Sequence, residues 1–347
     1  MIHHKTDPTG FVPAIQRKAQ LVRDGYQAGL DNAPRHLKAD GLLFSGMGFS
    51  GFCADLVSDA ATRALDIPFT VVKHYQYPHH VKPGWHCLAV SYSGETEETL
   101  AITRAALKRG VEVSSFSTGG TLAGLAKRNV PQPEGYQPRA AFAHAWFSVL
   151  GFLEGAGLIP EPVPVDEAIA AVEGVDVACG PDVPEADNEA MQLARKLVDS
   201  LPQIYATPSF LGVGNHFRGS LNENAKKIAD VDLVPESNHN DLSGWGGDVK
   251  HRGLFSVLCL SHANQRAEMR ARLNFMEERY RGWGVPWHNH TSRAINTFQD
   301  HVVEQARAIQ FLDYTSVYIA ALRGQDPADI RDIKALKAFL RKGKATP

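Results

Sequence analysis

The amino-acid sequence predicts an α/β protein built from two doubly wound parallel sheets, each flanked by helices. Three observations predict it. Short apolar segments of strand length alternate with segments of helical periodicity in both halves of the chain. The alternation pauses between Arg139 and Arg195, a stretch without lysine or arginine that carries Glu161-Pro162-Val163-Pro164 and Pro181-Asp182-Val183-Pro184. Turns of glycine and serine stand where a strand gives way to a helix, the place where such proteins cradle a phosphate. The 347 residues suffice for two domains of ordinary size. The composition shift divides them into an N-terminal domain with a leading helix (1–158), an acidic proline-containing linker with a short alanine-rich helix (159–187), and a C-terminal domain ending in helices (188–347).

Element by element, helical periodicity over 13–30 opens the chain. Residues 41–45 read as a short buried strand, and Gly46-Met47-Gly48-Phe49-Ser50-Gly51 opens a helix to about residue 65. Strands are expected at 69–72 and 87–90, a helix at 97–109, a strand at 111–116 and a short helix around 122–126. Residues 140–153 are apolar on all sides, as in a buried helix. The second half predicts helix 189–200, strands 203–206 and 210–214, helix 215–229, strands 231–234 and 254–260, helix 265–280 and strand 285–288. Two helices, 294–322 and 326–340, finish it. Gly46-Met47-Gly48 and Gly212-Val213-Gly214, each between strand and helix on this reading, hint at a duplication.

A formal net charge of -2 gives no general reason to expect nucleic-acid or anionic-membrane partners. No apolar run is long enough to span a bilayer, and the first residues lack an apolar core followed by a cleavage site. Cys53, Cys87, Cys179 and Cys259 are scattered without a Cys-x-x-Cys pair, and read as reduced, buried thiols of a cytoplasmic protein.

The most informative stretch is Ser91-Tyr92-Ser93-Gly94-Glu95-Thr96-Glu97-Glu98-Thr99-Leu100. Three small hydroxyls (Ser91, Ser93, Thr96) and a glycine follow an apolar run, and a helix starts at once. Free N–H groups and the positive helix end face an anion there, and the hydroxyls donate to its oxygens. The loop has no lysine, so it is not the Gly-x-x-x-x-Gly-Lys nucleotide loop; a sugar monophosphate is the expected ligand. Gly46-Met47-Gly48-Phe49-Ser50-Gly51 matches Gly-x-Gly-x-x-Gly, but a dinucleotide site needs a carboxylate closing the next strand, where Lys73-His74-Tyr75 stand. Ser50 offers another use for that turn, as one wall of the phosphate site. His79, His80, His288 and His290 show no compact ligand spacing, so neither metal nor cofactor is expected. Gln137-Pro138-Arg139 places a guanidinium after a rigid bend. Asn222-Glu223-Asn224-Ala225-Lys226 lies on a helix, and Glu236-Ser237-Asn238-His239-Asn240 follows a strand. Taken alone, Glu223 reads as a solvated helix residue paired with Lys227, and His239 as a polar loop residue.

In this order, those five stretches resemble the bifunctional phosphoglucose/phosphomannose isomerase family of sugar isomerase (SIS) domain proteins, over nearly the whole chain. The resemblance implies two SIS domains, a small-molecule sugar phosphate as ligand, and a homodimer whose active site is shared between domains and subunits. It implies phosphate contacts from Ser50, Ser91, Ser93 and Thr96, with Gly48 allowing close backbone approach. It assigns proton transfer to Glu223, an acid role to His239 of the neighbouring subunit, and sugar contacts to Arg139 and a C-terminal lysine, Lys337 matching better than Lys334. The chemistry agrees. Aldose–ketose isomerisation needs one carboxylate to move a proton between C2 and C1, an imidazole to open the ring, and a fixed cation for the enediolate. The expected activity is metal-independent interconversion of glucose 6-phosphate, and of mannose 6-phosphate, with fructose 6-phosphate through an enediol. A non-catalytic SIS regulator that binds a sugar phosphate is the competing class; binding alone needs no base. Phe49 stands where the family has glycine, and is expected to narrow the space over the phosphate.

Overall fold

The computed structural model describes residues 7, 8, 10–61 and 64–343. The Asp7 carboxylate accepts the N–H groups of Phe11 and Val12 at 2.7 and 2.8 Å and starts α1 (Phe11–Gln16). Arg17 interrupts the periodicity before α2 (Lys18–Asn32), so the single helix expected there is two. The chain continues through β1 (Leu42–Gly46), α3 (Gly48–Ala61), β2 (Phe69–Val72), β3 (His86–Val90), α4 (Glu97–Lys108), β4 (Glu112–Ser117), α5 (Gly120–Leu125), β5 (Arg128–Pro131), α6 (Phe142–Gly155) and α7 (Val165–Cys179). The five strands form a parallel sheet in the order β2-β1-β3-β4-β5. β5 was not expected. Only Val130 of its four residues is buried, too short a pattern to read, and its proline is tolerated because the strand lies at an edge.

A second parallel sheet follows in the order β7-β6-β8-β9. Its elements are α8 (Glu189–Leu197), β6 (Leu201–Ala206), α9 (Leu211–Glu223), β7 (Asp230–Leu233), α10 (Asp241–Gly247), β8 (Phe255–His262), α11 (Ala267–Gly282), β9 (Trp287–Ser292), α12 (Phe298–Leu322) and α13 (Arg331–Gly343). The capping box of Thr297 and Asp300 starts α12, which runs unbroken. Residues 210–214, expected as a strand, are instead the entry to α9. A short, fully apolar run does not distinguish a buried helix from a strand. The glycine correspondence that hinted at a duplication is lost with it, because Gly212-Val213-Gly214 lies inside a helix, although both sheets share the strand order second-first-third-fourth.

Side chains along the strands explain the layering. Leu42, Phe44, Ile204 and Leu258 belong to one continuous core shared by both halves. Their neighbours Leu43, Tyr205 and Val257 point the opposite way, into two smaller outer cores. Each sheet is therefore covered on both faces, which is why its strands read as apolar runs without alternation. The shared layer holds α2, α3, α6, α7, α9 and α12.

Within that layer α3 and α9 pack at close range and in opposite directions. A Cβ on Gly212, at the start of α9, would lie 2.7 Å from the Leu56 nitrogen; one on Gly219 would lie 2.7 Å from the Phe52 ring and 3.2 Å from that of Phe49. The beginning of α3, next to β1, is thus brought beside the end of α9. That single packing decision positions the site.

Candidate active site

β1 and β3 are neighbours in the sheet although β2 separates them in sequence, so the chain reverses its winding between them. A crevice opens at the carboxyl ends of strands at such a point. The turn carrying Gly48 and Ser50 leaves β1 there, and the turn of Ser91, Ser93 and Thr96 leaves β3. Ser91 Oγ donates to Thr96 Oγ1 at 2.8 Å, and Ser93 Oγ accepts the Glu95 N–H at 3.3 Å. Gly94 takes φ 68°, and a Cβ on it would meet the Gly119 carbonyl at 2.0 Å. The turn is braced from the next loop, where the N–H groups of Thr118 and Leu122 donate to the carbonyls of Tyr92 and Gly94. Phe49 lines the small cavity of about 10 Å³ beside Ser50, Val90 and Tyr92. Its ring is buried, 5.3, 6.1 and 5.2 Å from the rings of Phe52, Phe142 and His216.

Tyr92 connects this turn to the cation. Its hydroxyl donates to the Pro133 carbonyl at 2.7 Å and accepts the Tyr136 N–H at 3.0 Å, which fixes the loop leading into Gln137-Pro138-Arg139. Arg139 is 4% exposed. Its Nε donates to Asn224 Oδ1 at 2.7 Å, one terminal nitrogen donates to Glu223 Oε2 at 3.0 Å, and the other binds the Pro327 carbonyl. The Phe11 ring lies 4.7 Å from its guanidinium carbon. Each of the three guanidinium nitrogens thus makes one hydrogen bond, three of the five N–H donors of the group.

Glu223 is the last residue of α9 and borders an open cleft of about 450 Å³ lined by Asn222, Lys226, Asp329, Ile330 and Ile333. Burial raises its pKa above the ordinary glutamate value, against the opposing charges of Arg139, Lys337 and Lys226. Lys226 donates to the main-chain carbonyls of Glu223 and Asn224 at 2.8 and 3.3 Å and to that of Asp326. Lys337 lies exposed on α13, near enough for its charge to act on Glu223; Lys334 is not among the charges that do. The structure therefore groups Arg139, Glu223 and Lys337, while Ser50 shares a small cavity with Tyr92 and with Pro138, the residue before Arg139.

His239 stands apart. It is exposed and closes a short 3-10 turn after β7. Glu223 precedes β7 and His239 follows it, and a four-residue strand advances about 13 Å. Among the described residues no hydrogen bond, ion pair or ring contact joins His239 to Arg139 or Glu223. Beyond the carboxyl ends of β6 and β8 in the second sheet, Gln265 is buried and donates to Thr207 Oγ1 at 3.1 Å.

Sequence reasoning assigned no task to Tyr92 or Asn224, although both lie inside quoted motifs. Residues 326–328, expected as the start of the last helix, are instead a loop before α13 that acts through main-chain carbonyls any residue supplies. Among the described residues no group of three or more His, Cys, Asp or Glu is arranged to hold a metal ion, and no helix is long and apolar enough to cross a membrane.

The fold is shared with the C-terminal domain of glucosamine-fructose-6-phosphate aminotransferase from Francisella tularensis, at a TM-score of 0.73 and 15% identity, over 92% of this chain and 98% of that one. Residues 186–340 match the family model described as the bacterial phospho-glucose isomerase C-terminal SIS domain. The molecule is thus an α/β isomerase of the SIS type. Two curated relatives narrow the class, both named bifunctional phosphoglucose/phosphomannose isomerase. The one from Pyrobaculum aerophilum is 30% identical over 304 residues, 86% of this chain and 87% of the relative; the one from Caldicellulosiruptor bescii is 28% identical over 336 residues, 93% and 97%. The chain belongs to the bifunctional phosphoglucose/phosphomannose isomerase family.

Proposed function

We propose that this enzyme interconverts glucose 6-phosphate, and mannose 6-phosphate as well, with fructose 6-phosphate, without a metal and through an enediol. The observation that carries the reading is the pairing of buried Arg139 with half-buried Glu223, 3.0 Å apart at the edge of an open cleft. Binding needs no such carboxylate; moving a proton between adjacent carbons does.

Ser50, Ser91, Ser93 and Thr96 bind the phosphate, with Gly48 letting the backbone approach, and this remote anchor holds C1 and C2 against Glu223. Glu223 takes the C2 proton and returns it at C1, its raised pKa bringing it nearer the working pH. Arg139, always charged, stabilises the oxygen that becomes negative, and Lys337 contributes from the cleft rim. His239 of a second copy opens the sugar ring. A homodimer is supported by the separation of His239 from Glu223 along β7 and by the uncovered apolar face of α13. The same reading assigns 1–158 and 188–347 to the two SIS domains, joined through 159–187, and places the enzyme in the cytoplasm.

Chelator-treated protein is expected to form fructose 6-phosphate from both aldose phosphates in a coupled assay. Glu223→Gln is expected to lower kcat by about 10²–10⁴-fold while a hexitol 6-phosphate still binds. Parallel loss of turnover and binding would make Glu223 structural and return the protein to the class of sugar-phosphate binders.

A further inference from the structure

Behind the site, the layer between the sheets buries a second ionic cluster. Asp313 of α12 receives Lys18 Nζ on Oδ2 at 2.5 Å, and His216 Nε2 and Ser220 Oγ on Oδ1 at 2.7 and 3.1 Å. All four residues are buried. A carboxylate only accepts, so the His216 proton sits on Nε2. The Ser220 hydroxyl bonds the carboxylate and not the imidazole, so this is no serine nucleophile relay. Desolvation works against the Asp313 charge, yet Lys18 and His216 hold its carboxyl well below the usual range.

The cluster reaches the proposed chemistry through α9. His216 and Ser220 lie roughly two turns and one turn before Glu223 on that helix, so Asp313 fastens the base-bearing helix to α12. From α12 a hydrogen-bonded chain then runs to the base. Ser316 Oγ donates to the Asp313 carbonyl at 2.8 Å and accepts Asn224 Nδ2 at 2.9 Å. Asn224 Oδ1 accepts Arg139 Nε at 2.7 Å, and Arg139 holds Glu223 at 3.0 Å. The Asp313 charge also acts on Arg139 directly.

We propose that Asp313 is a positioning residue for proton transfer: its carboxylate clamps α9 to α12 in the register at which Ser316 holds Asn224, and Asn224 holds Arg139 against Glu223. The proposal rests on the isomerase reading above. A buried ion pair is a poor stabiliser compared with apolar packing. What this one adds is direction, since donors from the start of α2 and from α9 converge on a single group of α12.

The variant to measure is Asp313→Asn combined with Lys18→Met, which avoids leaving an ammonium buried without its partner. Its kcat is expected to fall between about 10- and 100-fold, the scale of a small misplacement of reacting groups. Binding of a hexitol 6-phosphate should change less than about threefold, because the His216 ring still packs on Phe49 and Phe142. The acid limb of kcat/KM should move to higher pH as Arg139 loosens from Glu223, which keeps its other charged neighbours Lys226 and Lys337. A folded double variant with wild-type kcat and an unmoved limb overturns the proposal. So does a loss of kcat matched by an equal loss of binding, the mark of general loosening. Should the double variant not fold, Ser316→Ala makes a smaller cut in the same chain: lower kcat with intact binding supports the clamp, and unchanged kcat removes it. A wild-type protein inactive on every hexose phosphate would instead defeat the isomerase reading, a result distinct from any of these.

Discussion

Glu223 experiences two opposed influences, and their balance is measurable. Desolvation at the end of α9 favours the neutral acid, whereas Arg139, Lys337 and Lys226 favour the carboxylate; desolvation is the larger. Only the carboxylate can accept the C2 proton. The rate therefore falls as pH drops through a pKa lying above the ordinary glutamate value, and it reaches a plateau on the alkaline side. Arg139→Gln removes the nearest opposing charge, so the acid limb of kcat/KM should shift to still higher pH. The plateau should drop by about 10²–10³-fold as well, the usual cost of losing one preorganised donor to a developing oxyanion. Profiles of the two proteins against pH decide it; coincident limbs would mean that Arg139 does not govern the ionisation of Glu223.

Elements are where sequence and structure part company in an instructive way. Strands β1 and β3 were legible because both faces of their sheet are covered and the apolar runs are unbroken. The start of α9 was misread for the same reason, since Phe210-Leu211-Gly212-Val213-Gly214 is equally apolar and equally short. Its Gly212 serves helix-to-helix contact, and contact across 153 residues leaves no local periodicity. The same limit hid the meeting of Arg139 with Glu223 and the convergence of Lys18 and His216 on Asp313. Motif resemblance joined the first pair on paper, while the second set belongs to no motif. Glycine-to-alanine changes test the packing argument through its sign. Alanine is favoured over glycine in a helix by up to about 1 kcal/mol. Gly174→Ala, on an exposed part of α7 with nothing within 4 Å of the new methyl, should stabilise by that amount. Gly212→Ala, facing backbone at 2.7 Å, should destabilise by about 1–3 kcal/mol despite its propensity. Denaturant midpoints of both variants give the comparison, and a stabilised Gly212→Ala would show that α3 and α9 are not in close contact.

At the scale of the whole molecule, the homodimer proposed above accounts for two exposed surfaces. α13 is amphipathic yet leaves Leu336 and Phe339 57% and 72% exposed, with Ile333 and Leu340 beside them, although it carries Lys337 toward the cleft. His239 is exposed beyond the far end of β7. A second copy related by a two-fold axis can cover the first and deliver the second to the opposite cleft, each subunit giving and receiving once. Such sharing has a consequence that no arrangement within one chain imitates. Glu223→Gln and His239→Ala homodimers should each be nearly inactive. When the two variants are refolded together, half the dimers are mixed. In each of these one site carries both defects and the other carries neither, so about a quarter of wild-type activity should return. If His239 served the Glu223 of its own chain, every site in the mixture would hold one defect and no activity would return. The recovered fraction, measured against the mixing ratio, therefore reads out directly which subunit supplies the imidazole.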